Sequence, residues 1–311
     1  MLGRLPEDTS KPRLRLAPHL RSTAVPPASA DWYSHVPAWG MLGNDQYGDC
    51  VFAGNGHVVE QQTALGEGGE TAITTAEALA EYSRVTGFNP SDPSTDQGAL
   101  IQDGLADLVK NGLAGQKIAA FARADTHDIT EIKLALAELG CVDLGVQLPQ
   151  SAMDQFNAGQ PWTVVADDGG ILGGHCIIAV GYTGTYIYIV TWGKVVPVTW
   201  DWFTTYCDEA WAVVSAQWAG KSGKDPEGVD LVSLGAEFAE LTGQPSPFPP
   251  PAPVPPPVPV PPAPTPPPAP TPPAPPAPVP PPVPDPAVEA LVKLLRHLAN
   301  EIHVWLERHG F

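Results

Sequence analysis

Cysteine is scarce: Cys50, Cys141, Cys176 and Cys207 stand far apart in 311 residues, with no CxxC pair among them. Neither a zinc knuckle nor a disulfide framework is suggested, so no metal is expected and a reduced thiol is. Long apolar runs are absent too, none approaching the ~18 residues a membrane helix requires. The opening MLGRLPEDTSKPRLRL has no apolar stretch behind its first charges, so a secretory signal is not expected and synthesis is placed in the cytoplasm. Cations are few, with Lys plus Arg at 16 against 34 Asp plus Glu.

That imbalance is uneven. Residues 1–30 carry five basic and two acidic side chains, whereas residues 31–244 carry eight basic against 28 acidic, a formal charge of −20. Such a surface repels phosphate backbones, which argues against a nucleic-acid partner and leaves solubility, an acidic host proteome or steering of a cationic partner.

Proline, by contrast, is concentrated: 27 of 39 fall within residues 245–286. A stretch with almost no polar or charged side chains builds no core and favours polyproline II, reaching on the order of 130 Å at full extension. The chain divides accordingly into an extended basic arm (1–30), a folded domain (31–244), a proline-rich linker (245–284) and a tail (285–311). In the tail, Asp285 and Pro286 open an amphipathic helix over 286–309. A lone helix of that length needs a docking surface, either a protein partner or another copy of itself. Its histidines, His297, His303 and His309, are spaced by six and share no metal-binding face.

Within the domain, residues 51–65 read as a helix that starts at or just after Asp49, which puts Cys50 at its positive end. Thr74 and Glu77 have capping-box spacing before a second helix. Residues 100–111 and 129–139 read as helices stopped by Gly112 and Gly140. Residues 141–148, 175–182, 186–191 and 210–216, rich in Val, Ile and aromatics, read as strands. Helices first and strands later predict an α+β domain.

A thiol nucleophile needs a lowered pKa, supplied by a helix N-terminus and an imidazolium. Cys50 has the first. His57 lies about two turns along the same helix, on the order of 10 Å away, and His127 sits in a polar loop. His175 opens the strand HCIIAVGY after Gly173-Gly174, so it can face a helix start across a cleft.

These residues resemble, in chain order, the motifs of the papain-like cysteine peptidases. Asp31-Trp32 is similar to the family's mature start, and Asn44-Asp45-Gln46-Tyr47-Gly48-Asp49-Cys50 resembles the run ending in its nucleophile. Gly174-His175-Cys176-Ile177-Ile178-Ala179-Val180-Gly181-Tyr182 resembles the catalytic-histidine strand, and Tyr186 to Gly193 the strand that ends in Asn-Ser-Trp-Gly. The resemblance covers about residues 31–218. It implies a helical N-terminal lobe, an antiparallel β lobe and a thiol peptidase or amidase without a cofactor.

Carried over residue by residue, Cys50 would attack, His175 would shuttle the proton, and Trp192 and Gly174 would wall the cleft. Two positions depart from the pattern. The oxyanion-hole glutamine is replaced by Asn44, with Gln46 an alternative donor, and the orienting asparagine falls to Thr191. No pro-domain of the family's size precedes Asp31, although a basic arm can lie along an acidic groove. Cys141, Cys176 and Cys207 read as core residues. The substrate expected is a peptide or a peptidoglycan peptide, and the stalk suggests a head tethered to an assembly. The Ala, Gly and Pro-rich, Lys-poor composition suggests an actinobacterial or actinobacteriophage source. The alternative is a virion or cell-envelope protein, such as a phage tail component, that keeps the scaffold with little or no activity.

Overall fold

Side-chain alternation along the strands decides where the core lies. The computed structural model describes residues 1–64, 69–215 and 228–248. Seven strands form one antiparallel sheet: β1 (Ala30–Asp31), β2 (Ala120–Arg123), β3 (Val142–Pro149), β4 (Ile171–Tyr182), β5 (Tyr186–Thr191), β6 (Lys194–Thr199) and β7 (Cys207–Val214). Their order is β2-β7-β3-β4-β5-β6, with β1 paired to the end of β4. On β4, Ile178 and Val180 point into a cluster with Val51, Phe52, Tyr82 and Leu105, while Ile177 and Ala179 point into a second with Ile132, Leu136, Trp202 and Phe203. The two-residue period thus buries both faces of the sheet.

The helices start and stop where the cap residues stand. The helix α1 (Cys50–Ala64), then α2 (Thr75–Thr86) and α3 (Ile101–Lys110), cover the first face. The second is covered by α4 (Ile129–Leu139) and α6 (Trp200–Tyr206), with α5 (Gln150–Asn157) between them in sequence. At α2 the Thr74 side chain accepts the Glu77 N–H and the Glu77 carboxylate accepts the Thr74 N–H, both arms of the capping box. Asp128 caps α4 through the N–H groups of Thr130 and Glu131, and Gly140 ends it. A further helix, Leu231–Thr242, is capped by Asp230 and buries Leu234. The α+β class expected from sequence stands.

The arm is more than a leader to the domain. Leu14 and Leu16 are buried in the second cluster, and backbone bonds from Leu16 N to Arg123 O (3.0 Å) and Arg123 N to Leu14 O (2.7 Å) cover the edge of β2. An exposed sheet edge is thereby closed by the chain's own residues. The linker beyond residue 248 and the helix expected over 286–309, with its three histidines, lie outside the described residues. Among those described, no helix is long and apolar enough to cross a membrane.

Two outcomes follow from this packing. Leu16→Ala should cost about 2–5 kcal/mol, the range for a buried leucine, seen as a lower urea midpoint; an unchanged midpoint would mean that the arm adds nothing to the fold. The second concerns Glu81, whose Oε1 accepts from Asn55 Nδ2 (2.8 Å) while Oε2 has no partner, and whose pKa burial pushes up to about 8. The folded state keeps a proton that the unfolded chain releases above about pH 4. This contribution to stability is full at low pH and is lost as the pH rises from about 4 to about 8. The melting temperature should fall between pH 5 and pH 8, and Glu81→Gln should flatten part of that fall. An identical slope in the variant would remove Glu81 from the account.

Candidate active site

Cys50 is the first residue of α1, whose start is set by the Asp49 carbonyl accepting from Phe52 N (2.8 Å) and Ala53 N (3.0 Å). A thiol there lies at the positive end of the helix. The backbone N–H of Cys176, the residue after His175, lies toward the Cys50 sulfur and favours the thiolate, and Cys50 and Cys176 line one cavity with Thr191, so the helix start and the head of β4 meet there. His175 is buried, and its Nε2 is 2.8 Å from Thr191 Oγ1. The ring stacks on Trp192 at 4.5 Å and 16°. Trp192 holds that place with a φ of 45°, a left-handed conformation for a bulky side chain in the turn between β5 and β6. The other ring nitrogen, Nδ1, is buried without a partner.

Asn44 is buried and points its amide into the same place. Its Nδ2 donates to Met1 O (2.9 Å), Tyr47 O (3.2 Å) and Asp49 Oδ1 (3.2 Å). A side-chain amide holding a backbone carbonyl oxygen beside the thiol is the contact an oxyanion donor makes. Gln46 is exposed on the turn before α1, so of the two donors left open by the sequence only Asn44 is buried with the thiol. His57 lines the residual cavity beside Cys50, yet its Nε2 lies on Gly40 O at 2.9 Å, and burial lowers its pKa to about 4. His127 is exposed. Cys141, Cys176 and Cys207 are buried; the Cys176 thiol donates to Asp143 Oδ1 at 3.0 Å.

What sequence reasoning missed is the depth to which the arm fills this cleft. Residues 1–5 run between the loops before α1 and α3 on one side and the head of β4 on the other. Ala99 N donates to Gly3 O (2.8 Å), Leu5 N donates to Ala99 O (2.8 Å), and Arg4 N donates to Gly174 O (3.2 Å). The Gly3 N–H is directed to the Cys50 sulfur. A Cβ at Gly3 would lie 1.8 Å from Gly48 O, and one at Gly98 would lie 1.9 Å from Gly3 O. The arm seats only because both positions are glycine. The signal was present as Gly3, Gly48 and Gly98, but nothing in their spacing ties residue 3 to residue 98.

Covering the cleft sets its electrostatics. The cavity left among Cys50, Asn44, Cys176, Thr191 and Trp192 is about 10 Å³, room for at most a single water. Burial pushes the Cys50 thiol up to about 11 and the His175 imidazole down to about 3. Both shifts favour the neutral forms near pH 7. With the arm in place, burial thus disfavours both charges of the thiolate–imidazolium pair expected from sequence.

No family model matches the chain, and no curated protein matches it. Solved structures do. One is xylellain, a cysteine protease from Xylella fastidiosa, at 15% identity and a TM-score of 0.55 over 69% of this chain and 96% of that one. Others are a cysteine protease of Carica candamarcensis solved with E-64 (16%, TM-score 0.45, 61% and 99% covered) and a digestive procathepsin L from Tenebrio molitor larval midgut (15%, 0.47, 65% and 76%). The chain thus has the α+β fold of the papain-like cysteine proteases, a likeness of fold at these identities.

Gly3→Leu gives the direct check on the closed cleft. The substituted side chain cannot pass Gly48, so the arm should lift and iodoacetamide should alkylate Cys50 at pH 7 at least about tenfold faster than in the unaltered chain. Equal rates in the two proteins, read by mass spectrometry of the Cys50 peptide, would show that the arm does not shield the thiol.

Proposed function

We propose that the protein is a thiol peptidase or amidase, stored with its own N-terminal segment across the cleft. The observation that carries this reading is the state of His175: Thr191 fixes one ring nitrogen while the other is unpartnered, beside a strand residue whose N–H reaches the Cys50 sulfur. With Nε2–H donating to Thr191, Nδ1 has the free lone pair of a general base. Once the arm leaves, water and substrate enter and the desolvation that keeps both groups neutral is relieved.

Nδ1 then takes the thiol proton as the sulfur attacks the substrate carbonyl, and the carbonyl electron pair moves onto oxygen. The Asn44 amide and the Cys50 N–H stabilise that oxyanion. Collapse of the adduct breaks the C–N bond, and the imidazolium returns its proton to the departing amine. Water, deprotonated by Nδ1, next attacks the thioester and releases the acid, which restores the thiol. Trp192 limits the imidazole to rotation in its own plane, and Thr191 does for the ring what an amide would do with a weaker bond.

The substrate of such a cleft is a peptide, either of a protein or of a peptidoglycan cross-bridge. The proline-rich residues 245–284 and the helix expected over 286–309 supply the sequence argument for a head tethered to a larger assembly, a virion or envelope among the candidates. The competing reading, a binding scaffold without activity, is decided by turnover. In the Gly3→Leu background, Cys50→Ala should abolish hydrolysis of a mixed peptide library and His175→Ala should nearly do so. Asn44→Ala should lower kcat by about 10²–10³ with little change in KM. Should the Gly3→Leu protein cleave no peptide while its cleft is open to alkylation, the scaffold reading replaces this one.

A further inference from the structure

Arg4 is the arm's most costly residue to bury. Its guanidinium is almost wholly inaccessible, and removing such a charge from water costs several kcal/mol unless every donor is met. It is met by carboxylates of β7. Nε and Nη2 lie 3.0 and 2.5 Å from Glu209 Oε2, Nη1 lies 3.2 Å from Asp208 Oδ2, and Nη2 lies 2.8 Å from Asp208 Oδ1. Glu209 is fully buried, with Oε1 held by Trp211 Nε1 at 2.8 Å. Asp143 is fully buried as well, lies within the field of Arg4, and leaves its Oδ2 without a partner.

The pocket has the shape of an arginine. Gly145 of β3 is its floor, where a Cβ would lie 2.5 Å from Arg4 Nε and 2.7 Å from Cζ. In the sheet, Gly145 pairs with Glu209 on one side and with Cys176 on the other, and the next residue, Val146, pairs with His175. The acid pocket is therefore one residue along rigid strands from the candidate general base. The arm reaches it through a backbone bracketed by Ala99 and Gly174, with the Gly3 N–H directed at the sulfur, so the side chain in the pocket follows the residue at the thiol.

An anchor alone would not need this construction, since Leu16 anchors the arm by apolar burial at no cost in charge. The carboxylates and the glycine floor stay when the arm leaves, and an open cleft then presents buried acids with no counter-charge beside the nucleophile. We propose that the Gly145–Glu209–Asp208 pocket is the specificity pocket of the cleft, that it selects arginine side chains in peptide substrates, and that Arg4 fills it as a built-in competitor. This rests on the reading of the cleft as a peptidase site. The forked contacts to two carboxylates favour arginine over lysine, whose single ammonium cannot span both.

The test uses the full chain carrying Gly3→Leu and Arg4→Met, which frees the cleft and empties the pocket. Fluorescein-labelled Leu-Gly-Arg-Leu, capped as its amide, should bind at least about tenfold more tightly by anisotropy than the same peptide with Leu for Arg. The Lys peptide should fall between them, and adding Glu209→Gln should erase the difference. Equal binding of the Arg and Leu peptides overturns the proposal. Should the double variant not melt cooperatively, the Gly3→Leu chain with Arg4 kept, whose arm is lifted, serves: Cys50 labelling by a peptidyl epoxide should be at least about tenfold faster for the Arg than for the Leu sequence, and equal rates overturn the proposal. Hydrolysis separates the two readings. Selective binding of the Arg peptide without cleavage keeps the pocket and removes the peptidase; cleavage indifferent to Arg keeps the peptidase and removes the pocket.

Discussion

Exclusion of water from one cleft is the constraint on which the rest of the structure turns. A thiol at a helix start and an imidazole at the head of a strand make an ion pair only where solvent or fixed dipoles stabilise both charges. Here five residues of the chain's own N-terminal segment take the solvent's place. They satisfy the cleft's backbone groups at Ala99 and Gly174, occupy the Asn44 amide with a carbonyl oxygen, and leave a cavity of about 10 Å³. The chemistry is assembled but uncharged. The fold tolerates this because both faces of the sheet are packed into clusters that extend well beyond the cleft.

Much of the scaffold was legible because its signals are local. The capping box at Thr74 and Glu77, the Asp128 cap and the Gly140 stop each act within a few residues, and the observed helix ends agree with them. The candidate site was legible for the same reason: Cys50 begins a helix, His175 stands in a strand after two glycines, and Thr191 follows by register at 2.8 Å. Strand β6 was missed because Pro197 interrupts it, which an edge strand permits since its outer side makes an isolated bridge with Trp162 in place of a full ladder. Strand β2, four residues long, was too short to show a pattern.

The arm illustrates the other limit. It has no periodicity, and its partners in the domain lie from 43 to 218 positions away in sequence. Composition marked it as basic and the domain as acidic, which was enough to raise a groove but not to place Arg4 on Glu209. Net charge describes a surface averaged over its area. Of the two carboxylates that hold Arg4, Glu209 is not on the surface at all.

If the cleft has the proposed chemistry, an extended peptide lying in it would be a substrate, so what keeps the arm from being cut needs a physical reason. The register supplies one. Attack requires a carbonyl carbon near the sulfur with its oxygen toward the oxyanion donors. The Gly3 carbonyl is turned away to Ala99 N, and the arm carbonyl that meets the Asn44 amide is that of Met1, two residues earlier. Sliding by one residue to present a carbonyl would put a side chain where only glycine fits between Gly48 and Gly98 and would pull Arg4 out of its carboxylates. The same two contacts that hold the arm in the cleft therefore also fix its register, with the Gly3 carbonyl on Ala99 N.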